Sequence, residues 1–373
     1  MNWMKRTTAL LVFGAALEGW AAPAAANAPQ PETAAHGARP VALFYMTNSP
    51  QSIRDFFAHS SQIDILVPTW YQVDENGLVT GEPEPAVLAQ AKSENLPVMP
   101  IVTLFNKRSF HLLATSAKAQ AEMNAALVRE CKLHGYSGIQ FDLENIDWTD
   151  RDALSAMITT SAAELHRAGY QVSIATVPNA PGYPSAGGFA RWIYTDWRGA
   201  YDLAAIAKAV DLVCLMTYDQ NTRWTTPGPV AGWQWTVDNM HYALQFVPKE
   251  KLSLGIPLYG YHWYTGAPIV TPPTREGESA TEKPNPTAEY ISEPDAMQLA
   301  HDWGGKVQWD DTDRTAWFYF YRDQMREWIF FTDLRTFRER YDLAQQNGLE
   351  GFCSWVLGEE DPQIWTFLPK RHP

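Results

Sequence analysis

Short apolar runs alternate with amphipathic stretches along most of the chain. Several stretches repeat their apolar residues at helical spacing, as in Ala117–His134, Asp150–Ala168 and Asp333–Asn347. Strands that alternate with helices are typical of parallel βα units. Eight runs are strand-like: Val41–Met46, Ile63–Trp70, Val98–Leu104, Gly138–Leu143, Val172–Val177, Leu212–Thr217, Leu252–Pro257 and Gly351–Val356. The pattern therefore predicts an α/β fold of the (β/α)8 type, a TIM barrel.

The alternation breaks after the seventh predicted strand. A Pro-, Thr- and Glu-rich stretch at Thr271–Thr287 predicts a loop, and Glu293–Trp303 predicts a short helix. Three β-like runs with polar turns between them follow, namely Lys306–Trp309, Arg314–Tyr321 and Arg326–Phe331. We expect one barrel over residues 40–373, with a small α+β insertion at 261–331 between strand 7 and the last helix. The Asp-rich turn Asp310–Asp313 could be a calcium loop, but its spacing is not that of an EF-hand, which favours a solvated turn.

The N-terminus has the pattern of an export signal. The basic pair Lys5–Arg6 precedes an apolar stretch, Thr8–Leu17, that is too short to span a bilayer, and Ala24–Ala26 offers a cleavage site. We predict a signal peptide at 1–26, a flexible lead-in at 27–39, and a periplasmic or secreted protein. A disordered or interfacial N-terminus is the alternative. No later stretch predicts a membrane span.

Composition narrows the functional class. The chain has 29 Lys and Arg against 42 Asp and Glu, and this acidic balance argues against a nucleic-acid partner. Cys131, Cys214 and Cys353 are odd in number and widely spaced, which favours buried thiols and allows at most one disulfide. The nine histidines show no paired ligand spacing, so we expect no metal. The sequence contains neither a G-x-x-x-x-G-K phosphate loop nor a G-x-S-x-G nucleophile elbow, so these motifs give no support for other chemistry.

The segment Ser137–Asn145 places two carboxylates on one face of a predicted strand. Side chains alternate along a strand, so one face carries Gly138, Gln140, Asp142 and Glu144, and the other carries Ile139, Phe141 and Leu143. The apolar face would pack on helices, which points the polar face into the barrel, near the end where such barrels hold active sites. Carboxylates are costly to bury there unless they are paired or functional. Two solvated acids at an exposed strand end are the alternative.

The spacing of Asp142 and Glu144 suits acid catalysis. Residues two apart on a strand have Cα atoms about 6–7 Å apart, so their side chains can come into hydrogen-bond contact. Once one carboxyl is ionised, the pKa of the other rises. A carboxyl group that stays protonated near neutral pH can donate a proton to a leaving oxygen.

This segment resembles the D-G-x-D-x-D-x-E signature of glycoside hydrolase family 18, the chitinase-like family. Three further segments agree in type and order. Met216–Asp219 resembles the M-x-Y-D motif of the sixth strand, and Gly255–Tyr261 resembles the seventh strand. Gly351–Gly358 with Glu360–Pro362 resembles the eighth strand and the turn that follows it. The resemblance covers almost the whole chain after the predicted signal peptide, including the α+β insertion.

The resemblance implies roles for matching residues. Glu144 matches the general acid, which protonates the glycosidic oxygen and later activates water. Asp142 matches the residue that orients the 2-acetamido group of the substrate, and Tyr218 matches the tyrosine that hydrogen-bonds the acetamido carbonyl. The N-acetyl oxygen would then be the nucleophile, with retention of configuration. Trp355 matches the aromatic floor under the reacting sugar, although a barrel-core tryptophan is the alternative.

Further positions are candidates for substrate binding. They are Met216, Asp219, Tyr259 and Gln140, which lie in the matching motifs, and Tyr45, Trp70 and Asn106, which lie at or just past predicted strand ends. For the last three, core or loop packing is an equal alternative.

Two positions depart from the family signature. Ser137 and Gln140 replace its first and second Asp. Gln140 removes a carboxylate that hydrogen-bonds the catalytic Asp in many chitinases. Gln140 can still donate a hydrogen bond to Asp142, which would keep Asp142 ionised, so the change indicates altered pH tuning more than loss of activity. Asn145-Ile146, after the acid, also differs from the usual aromatic-Pro. Together with Trp309-Asp310, Tyr319–Tyr321 and Phe331–Asp333 of the insertion, it resembles the branch of spore-cortex peptidoglycan lytic glucosaminidases and related chitinase-domain proteins.

The sequence thus predicts an exported, cofactor-free and monomeric O-glycosyl hydrolase. Its partner would be a glycan that contains β-linked N-acetylglucosamine, with peptidoglycan or its fragments as the first hypothesis and chitin oligosaccharides as the second. The alternative is a catalytically weak or inactive chitinase-like protein that binds chitin or a related glycan without turnover. Such proteins typically lose the acid, whereas Glu144 is present.

Overall fold

A computed structural model of the chain describes residues 39–179, 188–271 and 281–371. The predicted signal peptide at 1–26, and all of the predicted lead-in except Arg39, lie outside the described residues. The strands are β1 (Val41–Met46), β2 (Ile65–Pro68), β3 (Tyr71–Val73), β4 (Val79–Gly81), β5 (Ile101–Leu104), β6 (Gly138–Leu143), β7 (Gln171–Thr176), β8 (Leu212–Leu215), β9 (Leu252–Pro257), β10 (Tyr259–Thr271), β11 (Thr281–Ser292), β12 (Gln308–Asp310), β13 (Thr315–Arg322), β14 (Met325–Phe331) and β15 (Gly351–Trp355).

Helices connect most of these strands. They are α1 (Pro50–His59), α2 (Pro85–Ser93), α3 (Lys107–Thr115), α4 (Ala117–His134), α5 (Arg151–Arg167), α6 (Gly188–Ile193), α7 (Leu203–Ala209), α8 (Trp233–Ala243), α9 (Glu293–Trp303), α10 (Leu334–Gln346) and α11 (Ile364–Phe367). Side chains that accept hydrogen bonds from backbone N–H groups start several of them, as Ser116 does for α4 and Asp333 for α10. Gly135, at φ 70°, ends α4 in the left-handed conformation that glycine adopts without strain.

Eight parallel strands form the barrel, as predicted. The pairing runs in the order β2-β1-β15-β9-β8-β7-β6-β5. The ring closes where Leu66 of β2 meets Val98, just before β5, with hydrogen bonds of 2.9 Å from Leu66 N to Pro97 O and from Met99 N to Leu66 O. β3, which follows β2 along the chain, pairs in parallel with β5 and so continues this closure, and β4 pairs with β3 as a short antiparallel hairpin.

Two apolar layers follow from the alternation of side chains along the barrel strands. Inside the ring lie Leu43, Tyr45, Val67, Met99, Ile101, Leu212, Cys214, Cys353 and Val356. A larger core fills the space between the strands and the helices. All three cysteines are buried and free, as favoured by their spacing. Within the described ranges, no helix combines the length and the apolar character needed to cross a membrane.

The insertion contains more β structure than the sequence predicts. Its sheet has the order β11-β10-β14-β13-β12, and α9 packs against it, with side chains of β13 and β14 such as Phe318 and Ile329 in the shared core. The predicted loop at Thr271–Thr287 is therefore wrong at Thr271, which ends β10, and over residues 281–287, which belong to β11. Residues 272–280 lie outside the described chain. The physical reason is that β10 and β11 pair as an antiparallel hairpin, and these backbone hydrogen bonds override the low strand propensity of the Pro- and Thr-rich segment.

A buried arginine fastens the insertion to the barrel helices. Arg340 of α10 has no exposed surface and donates hydrogen bonds to backbone carbonyls only. Its Nη2 lies 2.5 Å from Ala231 O, just before α8, and 2.9 Å from Asp313 O in the β12–β13 turn, while Nη1 donates to Arg314 O. Burial lowers the pKa of Arg340 to about 10, so the guanidinium stays charged at neutral pH.

Replacing this arginine should destabilise the protein strongly. Arg340→Met keeps the apolar volume but leaves several buried carbonyls without donors, so we expect the free energy of unfolding to fall by about 3 kcal/mol. Urea unfolding followed by circular dichroism measures the change. The exposed control Arg129→Met should stay within about 0.5 kcal/mol of the unaltered protein. Equal midpoints for Arg340→Met and the control would contradict the role of Arg340.

Candidate active site

A cavity of about 210 Å³ lies at the carboxyl ends of the barrel strands. Its lining side chains are Tyr45, Phe105, Asp142, Glu144, Ala175, Met216, Tyr218, Asp219, Tyr259, Tyr290 and Trp355. They come from barrel strands and from the first two strands of the insertion, so the insertion forms part of the wall. Such a convergence of titratable and aromatic groups in a concave site is typical of a catalytic centre.

The alternation of β6 sets the orientation of both carboxyls. Ile139, Phe141 and Leu143 are buried in the core between strands and helices. The intervening side chains therefore point into the ring. Asp142 is 7% exposed and lines the floor of the cavity, and Glu144 follows at the rim and is partly exposed.

The expected hydrogen bond from Gln140 to Asp142 does not form. Gln140 has no exposed surface; its Nε2 donates to Tyr45 Oη at 2.6 Å, and its Oε1 accepts from Ser173 Oγ at 3.0 Å. The physical reason is the depth of Gln140 in the barrel. Gln140 comes two residues before Asp142 on β6, so its side chain lies one layer deeper, level with Ser173 of β7. Both the nitrogen and the oxygen of the Gln140 amide therefore form hydrogen bonds within the layer below the cavity.

Asp142 consequently lacks the partner that would keep it ionised. Its Oδ1 is buried and has no hydrogen-bond partner among the described residues. Burial raises the pKa of Asp142 well above its ordinary value, and the charge of Glu144 raises this pKa further. The prediction that Gln140 keeps Asp142 ionised is therefore wrong, because Gln140 bonds Tyr45 and Ser173 instead and burial raises the pKa of Asp142.

Glu144 has a raised pKa as well. Burial is the main cause, and the charge of Asp219 adds to it. Trp197 opposes both effects, because its Nε1 donates to Glu144 Oε2 at 3.4 Å and so favours the carboxylate. Next along the chain, Asn145 takes the left-handed conformation at φ 57° and donates from Nδ2 to Phe105 O at 3.2 Å, which ties the ends of β5 and β6 together.

The end of β8 supplies a second group of residues. Met216, Tyr218 and Asp219 line the cavity, and Asp219 has φ 59°. Gly255 of β9 permits this turn, because a Cβ there would lie 2.6 Å from Thr217 N. Thr217 Oγ1 donates to Gly255 O at 2.7 Å, which ties the two strands together just before Tyr218.

Tyrosines of the insertion hold Asp219. Asp219 Oδ1 accepts from Tyr259 Oη at 2.5 Å and from Tyr261 Oη at 3.5 Å. Burial raises the pKa of Asp219, while these hydrogen bonds and the charge of Arg223 lower it. Tyr290 packs on Tyr259 with ring centroids 4.6 Å apart and reaches the cavity from β11.

Trp355 closes the site from the end of β15. It is partly exposed, and its ring centroid lies 5.5 Å from that of Tyr45. Tyr45 itself is 1% exposed and lines the cavity from β1. The two rings form an aromatic part of the cavity lining.

Comparison with known proteins agrees with this geometry. The family model of glycosyl hydrolases family 18 matches residues 41–360. The chain belongs to this family. The predicted family, the TIM-barrel fold and the O-glycosyl hydrolase class are therefore confirmed.

Relatives of this glycosidase include lytic enzymes and chitinases. The cortical fragment-lytic enzyme of Bacillus subtilis (strain 168) is 26% identical over 304 residues, and the match covers 80% of this chain and 65% of that enzyme. The chain thus spans less than two thirds of that relative. In fold, the chain is similar to a chitinase from Chromobacterium violaceum ATCC 12472 (TM-score 0.75, 22% identity, covering 88% of this chain and 98% of that one). It is likewise similar to the Bacillus cereus spore cortex-lytic enzyme SleL (TM-score 0.76, 21% identity, covering 88% and 74%).

Three of the predicted substrate-binding residues lie outside the lining of the cavity in this family 18 glycosidase. Trp70 is 4% exposed, donates to Asn48 Oδ1 at 3.2 Å and packs near Tyr136. Asn106 accepts from Ser109 N at 3.0 Å and thereby caps α3. Gln140 lies beneath the cavity, as described above. Trp70 and Asn106 thus have the packing and loop roles that the sequence left open.

Several lining residues were not predicted. Phe105 lies next to Asn106, so the strand-end signal pointed to this loop but selected the neighbouring residue. Tyr290, another lining residue, lies in β11. Trp197 is not among the lining residues but donates a hydrogen bond to Glu144, and it lies in a helical turn, Tyr194–Arg198, that no motif marks. In the described part of the chain, no group of His, Cys, Asp and Glu residues is arranged to hold a metal ion.

Removing the ionisable group at Asp142 should stabilise the protein at high pH. The folded-state pKa of Asp142 is raised, so its stabilising contribution is present below the unfolded pKa, about 4, and is lost as the pH rises through the folded pKa. Asp142→Asn removes this loss. We expect its Tm to exceed that of the unaltered protein by about 2 °C or more at pH 8, with a smaller difference at pH 4.5, in scanning calorimetry.

The exposed substitution Asp311→Asn is the matched control for this measurement. It removes the same charge from a solvated turn and should show no comparable gain between the two pH values. A gain for Asp142→Asn that does not grow with pH would contradict the raised pKa.

Proposed function

We propose that this family 18 glycosidase is exported and cleaves glycans that contain β-linked N-acetylglucosamine, by substrate-assisted catalysis with retention of configuration. The observation that carries the proposal is the pair of carboxyl groups, Asp142 and Glu144, in one cavity with Tyr218 and Trp355. Export rests on the signal pattern of residues 1–26.

Glu144 is the proton donor in this mechanism. Its raised pKa, caused mainly by burial, keeps the carboxyl protonated closer to neutral pH than a solvated glutamate would be. The proton passes to the glycosidic oxygen while the bond from that oxygen to the anomeric carbon breaks. The leaving sugar therefore departs as a neutral alcohol.

The acetamido oxygen of the substrate is the nucleophile. It forms a bond to the anomeric carbon as the leaving group departs, and a positive charge spreads over the resulting oxazolinium ring. Asp142 Oδ1, which has no described partner, is available to accept the acetamido N–H. For this role Asp142 must be ionised, so its proton leaves to solvent before the glycosidic bond breaks. The positive charge that then develops favours the carboxylate and offsets the effect of burial on the pKa of Asp142. Tyr218 donates to the acetamido oxygen and orients it.

Water completes the reaction from the side that the leaving group vacated. Glu144, now a carboxylate, accepts a proton from water as the water oxygen bonds to the anomeric carbon and the oxazolinium ring opens. Two inversions at the same carbon give net retention, and Glu144 regains its proton. Because Asp142 and Glu144 interact, their protons leave as a coupled pair and not as two independent acids.

Peptidoglycan or its fragments is the first substrate that we propose, and chitin oligosaccharides are the second. The relative with 26% identity is named for lysis of cortical fragments, whereas a structural neighbour is named a chitinase. Both polymers contain N-acetylglucosamine, which the acetamido mechanism requires. We expect the enzyme to act as a monomer without a cofactor.

Glu144→Gln tests the proposed acid. We expect kcat to fall by about three orders of magnitude, because the amide cannot donate the proton, while the Tm stays close to that of the unaltered protein. Purified peptidoglycan and chitin oligomers are the substrates, and mass spectrometry identifies the products. The exposed control Glu122→Gln should retain full activity. No product from either glycan would refute the hydrolase proposal, and products from chitin alone would refute the peptidoglycan proposal.

Substrates without the N-acetyl group test the nucleophile. Oligomers whose reacting sugar carries a free amine should not be cleaved measurably, and chemical N-acetylation of the same oligomers should restore cleavage. NMR of the first product formed should show the β-anomer. Equal rates on the two oligomers, or an initial α-anomer, would rule out substrate assistance.

A further inference from the structure

A second cavity, of about 650 Å³, lies beside the catalytic cavity and shares Asp219 and Tyr290 with it. Its walls come mainly from the segments that follow β7 and β8. We call it the Arg223 groove and define it by Trp192, Trp197, Arg198, Asp219, Arg223 and Trp224. None of the roles proposed above uses it.

The Arg223 groove presents surfaces suited to sugars. Trp224 is 87% exposed and Trp192 is 59% exposed, which is unusual for side chains that normally bury most of their area. Trp197 joins the groove to the catalytic cavity, since its Nε1 donates to Glu144 Oε2 at 3.4 Å. A glycan with one sugar above Asp142 can therefore continue along these indole faces.

The groove also carries positive charge on a strongly acidic chain. Arg198 and Arg223 line it, whereas the whole chain has a formal net charge of -13. Arg223 is exposed, and it forms no ion pair with any described residue; its Cζ lies 5.9 Å from the centroid of the Trp224 ring. The charge of Arg223 lowers the pKa of Asp219, so its field reaches the wall that the two cavities share.

We propose that the Arg223 groove is a subsite for a carboxylate on the sugar that adjoins the reacting N-acetylglucosamine. This inference rests on the proposed function. A guanidinium presents a planar fork of donors that matches a carboxylate, and the flanking indoles can pack on the sugar that carries it. Chitin offers no such anion. Peptidoglycan offers it in two forms: the free lactyl carboxylate of muramic acid, or the carboxylates of a peptide attached to that lactyl group.

The experiment compares two substrates of equal length, a tetrasaccharide of alternating N-acetylglucosamine and N-acetylmuramic acid, and chitin tetraose. The measured quantity is the ratio of kcat/KM for the acidic to that for the neutral substrate. We expect Arg223→Ala to lower this ratio about tenfold and Arg223→Lys to lower it less, because lysine keeps the charge but loses the fork. Any effect transmitted through Asp219 acts on both substrates and cancels in the ratio.

Arg129→Ala is the matched control, since it removes the same charge from an exposed site on α4 outside the groove. It should leave the ratio within about twofold. Raising the ionic strength from 0.05 to 0.5 M should reduce the preference of the unaltered enzyme for the acidic substrate, because the contact is partly solvated. An unchanged ratio in Arg223→Ala would overturn the subsite while leaving the proposed hydrolase intact.

Binding measurements separate this inference from turnover. In the Glu144→Gln background, calorimetry compares the muramic acid tetrasaccharide with the same tetrasaccharide carrying its peptides. If the double variant Glu144→Gln/Arg223→Ala binds more weakly than Glu144→Gln, the subsite is supported. This holds even if the unaltered protein cleaves neither glycan, because absence of cleavage would refute only the proposed function. If Arg223→Ala weakens binding of the free-lactyl ligand, the group that Arg223 binds is the lactyl carboxylate. If it weakens binding of the peptide-bearing ligand alone, the group is a carboxylate of the peptide. No loss with either ligand overturns the subsite.

Discussion

Strand β6 buries Ile139, Phe141 and Leu143 between the barrel and its helices, and the arrangement of the rest of the site depends on this hydrophobic packing. Because side chains alternate, the same packing points the side chains of Gln140 and Asp142 towards the inside of the barrel, which is otherwise lined largely by apolar groups. Each polar group must then find a partner or change its protonation state. Gln140 finds Tyr45 and Ser173, whereas Asp142 Oδ1 finds none and the pKa of Asp142 rises. Hydrophobic packing thus sets the raised pKa of Asp142 beside Glu144, the acid that we propose.

Burying polar groups at the strand ends is locally unfavourable, and packing elsewhere in the chain offsets this cost. Asn145 and Asp219 adopt left-handed conformations at strand ends that line or border the cavity, a conformation that Asn and Asp tolerate better than most residues. The closed ring of strands and the capped helices hold these ends in place. Arg340 extends this support to the insertion, whose first two strands bring Tyr259 and Tyr290 to the catalytic cavity. The insertion is therefore a wall of the site as well as an addition to the barrel.

Features set by local pattern could be predicted from the sequence, and features set by partners distant in the chain could not. The eight barrel strands and the inward carboxyls of β6 follow from alternation and periodicity. The partner of Gln140 depends on which layer of other strands lies level with it, which the spacing within β6 does not contain. Tyr290 lines the cavity and Trp197 donates to Glu144, and both come from segments without a motif. Strand β11 was missed because Pro and Thr disfavour strands locally, while pairing with β10 depends on the hairpin as a whole.

Asp219 lies where the two cavities meet and links their electrostatics. Tyr259, Tyr261 and the charge of Arg223 favour its carboxylate, and burial opposes them. Its charge in turn raises the pKa of Glu144, which favours the protonated form that an acid requires. The hydrogen bond from Trp197 has the opposite effect on Glu144, and Trp197 also lines the Arg223 groove. Residues of the groove therefore affect the pKa of Glu144, the proposed proton donor, in two opposite directions, so a ligand in the groove contacts the same residues that set this pKa.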